Sequence, residues 1–359
     1  MKNLLVMKNN LKYNIIVDVD RLKYPFTGMH QFCFHLYKNI IQYKQFNFYF
    51  YKHKKTELPQ NLNTITIKWW DIFFMRPSRK FSLWHSTNQL SKRIPSKPIK
   101  LVYTIHDLNF LYANKPKWKK KRTLQSIQKN CNRADYLTFI SNFAYLDAKK
   151  HLNITNKKYS IIYNGVTVEP FEALLPTEIP CDFNKKYLFS LGVVAEKKNM
   201  HSCIPLLANN DLHLVISGQI SDLKYQDKII ETARVYNVLD RILFTGPVTD
   251  KQKYWLYKNC EAFVFPSISE GFGLPPIEAM RMGKPTFLSN LTSLPEVGGT
   301  VAYYFENFEP AHMQNILENG LKDFHENNRA PENIKWSEQF CWEKAAKEYC
   351  EVYEEVIGQ

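Results

Sequence analysis

Residues 266–280 read PSISEGFGLPPIEAM and hold the most informative pattern of this 359-residue chain. A short run of β-forming residues, Ala262–Phe265, leads into them, and Pro276 stands where a following helix would have its first residue. Gly271 and Gly273 allow the backbone to approach a ligand closely. A strand, a glycine-containing loop and a helix start in this order are typical of α/β sheets, which bind ligands at the carboxyl ends of their strands.

Two carboxylates, Glu270 and Glu278, flank this loop at positions eight apart. A helix start presents unpaired N–H groups and the positive end of the helix dipole, which suit a phosphate. A carboxylate beside a phosphate is electrostatically unfavourable unless it accepts hydrogen bonds from hydroxyl groups. Sugars supply such hydroxyls, so the composition favours a nucleotide-sugar site over simple nucleotide binding.

Strands and helices alternate on both sides of this loop, which indicates parallel α/β sheets. In the first half, the pattern predicts strands over 13–19, 46–51, 62–68, 101–105, 136–140 and 159–163. In the second half, it predicts strands over 187–191, 212–217, 242–245, 262–265 and 285–289. Helices are expected between them, one of them starting near Asn199 and another carrying a Thr249/Gln252 capping box.

The alternation stops once, in a proline-containing segment, and then restarts. We therefore predict two doubly wound domains, over 1–168 and 185–335, joined by a linker over 169–184. A last helix, covering 336–357 within the segment 336–359, ends the chain.

The composition excludes several classes of protein. Hydrophobic residues make up 45% of the chain, which excludes a disordered protein. No apolar run approaches the roughly 20 residues that span a bilayer, and the apolar start of the chain is short for a secretory signal. Seven scattered cysteines without a C-x-x-C pair favour free thiols over structural zinc. The sequence thus predicts a cytoplasmic protein.

The positive charge is concentrated in the first half. Residues 1–169 hold 30 Lys+Arg and 8 Asp+Glu, a net charge of +22, whereas residues 170–359 hold 18 and 26, a net charge of −8. The densest basic run, 115–122, contains Trp118. Such asymmetry favours an anionic partner, which we expect to be a membrane surface, a phosphate-bearing substrate or nucleic acid.

Glu270 and Glu278 form the E-x7-E motif, and with it the chain resembles the retaining GT-B glycosyltransferases of family 4, also called group 1. Further segments that are similar to this family are Thr27-Gly28, Ile105–Asp107, Ser141, Tyr163–Gly165, Gly192–Asn199, Phe244–Gly246, Tyr257–Pro266, Leu294–Val297 and Trp342–Ala346. The resemblance implies two Rossmann-like domains facing a central cleft. The first would be on the acceptor side and the second would bind the sugar donor, while the C-terminal helix would cross back onto the first.

The resemblance also implies roles for single residues. Glu270 would bind hydroxyls of the donor sugar, and Glu278 would bind the ribose of its nucleotide. Lys198 would stabilise the leaving diphosphate. Relatives often have an arginine where this chain has Val193 or Lys197, so Lys197 is expected to share that task.

Three more contributions follow from the family pattern. Backbone N–H groups over 271–275 would hold the diphosphate, and this loop includes Gly271, Phe272, Gly273 and Leu274. His106 would bond a hydroxyl of the sugar or of the acceptor. Gly28 would let the first loop pass close to the diphosphate.

Together these inferences predict a retaining glycosyltransferase that uses a nucleotide-diphosphate sugar, with no metal ion and no cofactor. The acceptor is expected to be a saccharide or a lipid-pyrophosphate-linked saccharide of a bacterial surface polysaccharide, such as an O-antigen or a capsule. UDP, GDP and dTDP donors stay open, as does peripheral binding to the inner face of the plasma membrane. The alternatives are a basic nucleic-acid-binding protein and a non-catalytic binder of sugar nucleotides.

Overall fold

The computed structural model describes residues 12–25, 27–68, 80–167 and 185–358. The chain divides into two compact units. The first extends to Gly165 and includes the C-terminal segment Cys341–Gln359, and the second is Val166–Phe340. The domain boundaries that the sequence predicts are 168 and 335. The linker prediction over 169–184 lies outside the described residues.

The first unit contains a seven-stranded parallel sheet. Its strands are β1 Tyr13–Asp18, β2 Phe46–Lys52, β3 Asn63–Thr66, β4 Leu83–Ser86, β5 Lys100–Ile105, β6 Tyr136–Phe139 and β7 Tyr159–Ile161, in the order β3-β2-β1-β4-β5-β6-β7. The helices among them are α1 Gly28–Ile40, α2 Lys117–Arg133 and α3 Asn142–His151. Ser141 caps α3 by accepting a hydrogen bond from the N–H of Ala144 at 3.0 Å. The central strands are buried on both faces, as expected of a parallel sheet covered by helices.

Strand β4 is absent from the sequence-based prediction. Its four residues, Leu83–Ser86, are all buried between β1 and β5. The strand is short, and His85 and Ser86 interrupt its apolar character. The His85 imidazole is satisfied inside the sheet layer, because Nε2 lies 2.7 Å from Thr104 Oγ1 and Nδ1 lies 2.7 Å from Tyr353 Oη.

The second unit contains a six-stranded parallel sheet. Its strands are β8 Tyr187–Leu191, β9 His213–Ser217, β10 Ile242–Gly246, β11 Ala262–Phe265, β12 Thr286–Ser289 and β13 Tyr303–Phe305, in the order β10-β9-β8-β11-β12-β13. The helices are α4 Leu223–Val235, α5 Asp250–Asn259, α6 Leu274–Arg281, α7 Leu294–Gly298, α8 Pro310–Glu326 and α9 Ala330–Ser337. The Thr249/Gln252 capping box at the start of α5 is confirmed.

The second unit differs from the prediction in two places. The helix expected near Asn199 is instead a pair of 3₁₀ segments, Glu196–Lys198 and Met200–Leu207, and Asn199 between them has a left-handed φ of 53°. Pro205 lies inside the second segment, where a regular α-helix would lose a backbone hydrogen bond. The elements α7, β13, α8 and α9, which lie between Leu294 and Ser337, do not appear in the prediction.

The helix predicted over 336–357 is wrong at its start. Residues 336–337 end α9, and the last helix, α10, is Trp342–Ile357. Its aromatic face packs inside the first unit, where the Phe32 ring makes edge contacts with Trp342 at 5.9 Å and with Tyr349 at 6.0 Å. In the part of the chain that the structure describes, no helix has the length and apolar character needed to cross a membrane.

Candidate active site

The loops after β8 and β11 bring a lysine and a glutamate together in the second unit. The two strands are neighbours in the sheet, so the residues that follow them meet at its carboxyl edge. The N–H of Ile268 donates to the carbonyl of Lys197 at 2.9 Å. Next to this contact, Lys198 Nζ lies 2.5 Å from Glu270 Oε1. The structure thus joins two predicted site residues that are 72 positions apart in the chain.

This ion pair is largely withdrawn from water. The exposed fractions of the two side chains are 10% for Lys198 and 12% for Glu270. The ammonium also lies 4.5 Å from the centre of the Phe265 ring, within the range of a cation–π contact. Gly192 makes room for the lysine, because a Cβ there would lie 3.0 Å from Lys198 Cε and its φ is +149°. A larger residue at 192 would therefore displace the lysine.

Burial and the attraction between the two groups act on the pKa values of both members of the pair. Burial lowers the pKa of Lys198, while the Glu270 carboxylate opposes that shift. Burial alone would raise the pKa of Glu270, but Lys198, the neighbouring Lys197 and hydrogen bonds outweigh it and hold this pKa below its usual value. An ammonium group has three N–H donors, of which one points at Glu270. The others remain available to a phosphate.

Two residues that the sequence analysis missed fix the loop around Glu270. The Thr292 hydroxyl accepts the N–H of Glu270 at 3.2 Å. The Ser293 hydroxyl lies 2.6 Å from the carbonyl of Phe272 and 3.2 Å from that of Glu270. Both residues directly precede α7, whose Leu294–Val297 segment is similar to the family. Their position next to this segment is the feature of the sequence that could have identified them.

The start of α6 corrects two predictions. The helix begins at Leu274 rather than at Pro276, and Gly273 before it has a φ of +124° that only glycine adopts easily. Pro275 has no N–H group, so the predicted stretch of backbone donors over 271–275 ends at Leu274. The Phe272 side chain is 4% exposed and packs against Phe340 at 5.8 Å, so its ring is not presented to a ligand.

Glu278 lies further along α6 and is held from α5. Lys253 Nζ is 2.8 Å from Glu278 Oε1, and the Tyr257 hydroxyl is 3.0 Å from Oε2. Burial alone would lower the pKa of Lys253, but Glu278, Tyr254 and Asp250 together raise it above its ordinary value. Each carboxylate oxygen keeps a lone pair, so Glu278 can still accept hydrogen bonds from two hydroxyls. Lys253 and Tyr257 escaped the sequence analysis, although their i, i+4 spacing puts them on one face of α5.

Lys197 is exposed and forms no ion pair with any residue in the described ranges. Its charge nevertheless acts on Glu270, whose pKa it helps to lower. The second unit thus groups Lys197, Lys198, Glu270 and the 271–274 loop, with Glu278 on the helix that follows.

His106 lies in the first unit, at the carboxyl end of β5. The residue is 5% exposed, and Nε2 donates to the carbonyl of Thr87 at 2.7 Å. The Gln89 side chain accepts the backbone N–H of His106 at 3.3 Å. Burial lowers the pKa of the imidazole to about 4, and the nearby Arg21 acts in the same direction. The ring is therefore neutral at pH 7, with Nδ1 as its acceptor, and a role in binding a hydroxyl remains a prediction.

Acid should destabilise the protein through His106 and His85. Burial lowers the pKa of His85 to about 3 and that of His106 to about 4, so between these values and pH 6.5 the unfolded chain binds more protons than the folded one. Stability conferred by the neutral rings is complete above pH 6.5 and is lost as the pH falls, by up to about 1.4 kcal/mol per pH unit for each histidine. Urea unfolding at pH 7, 6 and 5 measures this slope. It should be shallower in His106→Gln, and an equal slope in both proteins would refute the assignment.

Gly28 differs from its prediction as a loop glycine. It is the first residue of α1, it is exposed, and a Cβ there would meet no atom within 4 Å. The Thr27 hydroxyl caps this helix by accepting the N–H of His30 at 3.2 Å. Nothing in the fold itself therefore requires glycine at this position.

A Gly28→Ala variant separates folding from ligand approach. Because alanine fits the helix, we expect stability unchanged or raised by up to about 1 kcal/mol. If a substrate passes close to the backbone here, the same variant should lose transfer activity by about tenfold or more. Thermal unfolding and a transfer assay on one preparation measure both. Unchanged activity would remove Gly28 from the binding site.

The described ranges contain no group of three or more His, Cys, Asp or Glu side chains placed to hold a metal ion.

Two sequence families match the chain one after the other. Glycosyltransferase Family 4 covers residues 59–170, and Glycosyl transferases group 1 covers residues 177–335, which includes the E-x7-E loop. The chain belongs to these glycosyltransferases. The match to Glycosyl transferases group 1 includes Lys198, Glu270 and Glu278 of the second unit.

Among the curated relatives of this chain, the serotype-specific mannosyltransferase WbdA of Escherichia coli is 28% identical over 268 residues, which are 69% of this chain and 32% of WbdA. The chain thus spans about a third of that relative. The O-antigen chain mannosyltransferase B of E. coli is 24% identical over 280 residues, or 72% of this chain and 71% of that protein.

A solved structure of Anabaena Alr3699/HepE in complex with UDP and glucose superposes with a TM-score of 0.72 at 14% identity. The match covers 96% of this chain and 100% of HepE. This likeness shows the fold, and the two parallel sheets are those of a GT-B glycosyltransferase.

Proposed function

We propose that this protein is a retaining glycosyltransferase that transfers a sugar from a nucleotide-diphosphate sugar to a saccharide acceptor without a metal ion. The observation that carries the proposal is the buried ion pair of Lys198 and Glu270 beside the 271–274 loop. A cation for the diphosphate and a carboxylate for sugar hydroxyls lie there within 2.5 Å of each other. A nucleotide-diphosphate sugar carries both groups that such a pair would bind, because its sugar is joined directly to a phosphate.

The proposed reaction occurs on one face of the sugar. The bond from the anomeric carbon to the diphosphate oxygen breaks, and a bond from that carbon to an acceptor hydroxyl oxygen forms on the same face. The acceptor proton passes to the departing diphosphate. Lys198 and the backbone N–H groups stabilise the charge that accumulates on the leaving group, a type of contribution worth roughly 2.7–4 kcal/mol for each hydrogen-bond donor elsewhere.

The donor and acceptor classes rest on the relatives. WbdA and mannosyltransferase B are named as mannosyltransferases, the latter of the O-antigen chain, and HepE was solved with UDP and glucose. We infer a nucleoside-diphosphate hexose as donor and a growing surface saccharide as acceptor. A thermal-shift panel of UDP, GDP and dTDP decides the base.

The basic run at the start of α2 supports binding to an anionic membrane. Residues 117–119 and 121–122 are exposed, and Trp118 is 62% exposed. No acidic residue lies in the first turn, so these cations meet both one another and the positive end of the helix dipole. An anionic surface relieves that repulsion, and each lysine near it contributes about 1 kcal/mol. The protein is then expected at the inner face of the plasma membrane.

Product stereochemistry tests the proposed reaction. The protein, a nucleoside-diphosphate hexose and a short saccharide acceptor are mixed, and NMR follows the anomeric proton of the product. Retention of the donor's configuration is expected, with no product from Glu270→Gln. An inverted product would overturn the mechanism. Binding of the sugar nucleotide without turnover would favour the non-catalytic alternative, and binding of duplex DNA but of no nucleotide would favour the nucleic-acid alternative.

A further inference from the structure

Arg21 lies at the carboxyl edge of the first sheet and has no anionic partner among the residues that the structure describes. It follows β1 in the 3₁₀ turn Asp20–Lys23 and is only partly exposed. Its Nη2 donates to Asn88 Oδ1 at 3.1 Å, and its guanidinium carbon lies 5.9 Å from the centre of the Tyr24 ring. Within the described residues, these uncharged groups are its side-chain partners, and its Nε has no acceptor.

The two carboxylates closest in sequence are engaged elsewhere. Asp20 binds Lys23 through both oxygens, at 3.0 and 2.9 Å, and lies 3.8 Å from Arg93. Asp18 is 1% exposed and accepts hydrogen bonds from the N–H of Asp20 at 3.0 Å and from Ser91 Oγ at 3.2 Å. A partly buried guanidinium whose charge is not balanced is unfavourable unless a ligand supplies the anion.

The loop after β4 fastens Arg21 and His106 to the same place. Asn88 holds Arg21 and is itself held by the N–H of Leu90, which lies 3.0 Å from Asn88 Oδ1. The residue before it, Thr87, accepts the imidazole of His106 through its carbonyl at 2.7 Å. The Arg21 guanidinium and the His106 imidazole, which is predicted to bond a hydroxyl, are thereby held by adjacent residues of one loop. The guanidinium fork matches the geometry of a phosphate oxygen pair.

We propose that Arg21 binds a phosphate group of the acceptor substrate at the carboxyl edge of the first sheet. This inference rests on the proposed transfer reaction, in which Lys198 and the 271–274 loop already serve the diphosphate of the donor. It adds a selectivity that the second unit does not provide: a saccharide linked to phosphate is preferred over the same saccharide with a neutral end.

The first experiment does not depend on catalysis. Inorganic pyrophosphate is titrated against full-length Lys198→Met protein, in which the buried cation of the second unit's site is removed, and the shift in Tm is recorded. A shift that persists in this variant and disappears when Arg21→Gln is added supports the proposal. A shift that survives Arg21→Gln overturns it, as does the absence of any shift in Lys198→Met.

The second experiment compares two acceptors, one saccharide carrying a neutral alkyl group and the same saccharide carrying an alkyl phosphate. We expect the wild type to prefer the phosphate by at least tenfold in kcat/KM, Arg21→Gln to abolish that preference, and Arg21→Lys to keep part of it. The matched control is Lys23→Gln, a cation of the same turn that is paired with Asp20, and it should retain the preference.

Three results would overturn the assignment. The first is an unchanged preference for the phosphate-bearing acceptor in Arg21→Gln, and the second is an equal loss of kcat/KM with both acceptors. The third is a raised KM for the donor, which would show that Arg21 binds the phosphate of the nucleotide. If the wild type transfers no sugar to either acceptor, the proposed function fails, while the pyrophosphate titration still decides the role of Arg21.

Discussion

Replacing Lys198 by methionine is expected to lower the rate of sugar transfer by about 10²–10³-fold, the usual effect of removing one donor to a developing negative charge. The lysine is the buried cation of the site, and its ammonium keeps donors for a phosphate while it holds Glu270 at 2.5 Å. Methionine retains the length and apolar packing over Phe265 but not the charge. A transfer assay with saturating donor measures the effect on kcat.

The same substitution should destabilise the fold, because it leaves the Glu270 carboxylate buried and unpaired. Breaking a buried pair in this way typically costs about 3–5 kcal/mol. Glu270→Gln should cost a similar amount by leaving the ammonium alone. The double variant Lys198→Met/Glu270→Gln should be more stable than the sum of the single effects indicates, yet remain inactive. Urea unfolding of the four proteins gives the coupling energy.

Lys197→Met is the matched control, because Lys197 lies in the same loop as Lys198 but is exposed to solvent. Its stability should change by less than about 0.5 kcal/mol. Additive effects of Lys198→Met and Glu270→Gln on stability, or transfer by Lys198→Met at the wild-type rate, would contradict the structure of the site described above.

Replacing Glu278 by alanine is expected to have the second large effect, a loss of affinity for the nucleoside diphosphate. Its carboxylate is fixed by Lys253 at 2.8 Å and Tyr257 at 3.0 Å, so its open lone pairs are presented in one orientation. Loss of hydrogen bonds from ribose hydroxyls to a charged acceptor, worth about 1.5–3 kcal/mol, should raise the Kd of the nucleoside diphosphate by about 10- to 100-fold. Isothermal titration with that diphosphate measures the change.

Two further variants test how Glu278 is held. Lys253→Met should weaken nucleotide binding in the same direction, because the carboxylate loses its ionic partner, whereas Tyr257→Phe should have a smaller effect of about 2- to 10-fold. Conservative Lys253→Arg should restore part of the affinity. If Glu278→Ala binds the diphosphate as tightly as the wild type does, the ribose is bound elsewhere.

The sequence predicted those parts of the fold whose pattern is local. The alternation of strands and helices and the capping box of α5 can be read from neighbouring residues. Strand β4 could not, because four residues that include His85 and Ser86 lack an alternating pattern and are defined by the strands on either side. The break before Trp342 was missed for a similar reason, since the helical pattern continues across the gap between α9 and α10.

The site shows the same division between local and distant information. The E-x7-E spacing and the lysine after β8 are visible in the sequence, and the resemblance to the family assigns them. Their partners are not visible, because Lys253 reaches Glu278 from another helix and Thr292 reaches Glu270 from 22 residues away. The error at Pro275 is of another kind, because the residue type alone shows that this position has no N–H group to donate.

Binding of a nucleoside diphosphate to the second unit tests the central claim most directly. Wild-type protein and Lys198→Met are titrated with UDP, GDP and dTDP, and unfolding is followed by calorimetry. One of the three should stabilise the wild type by about 2.7 kcal/mol at 100 times its Kd, and that gain should largely vanish in Lys198→Met. Stabilisation by none of the three, or equal stabilisation of both proteins, would contradict the assignment of Lys198 and Glu270 as a nucleotide-sugar site.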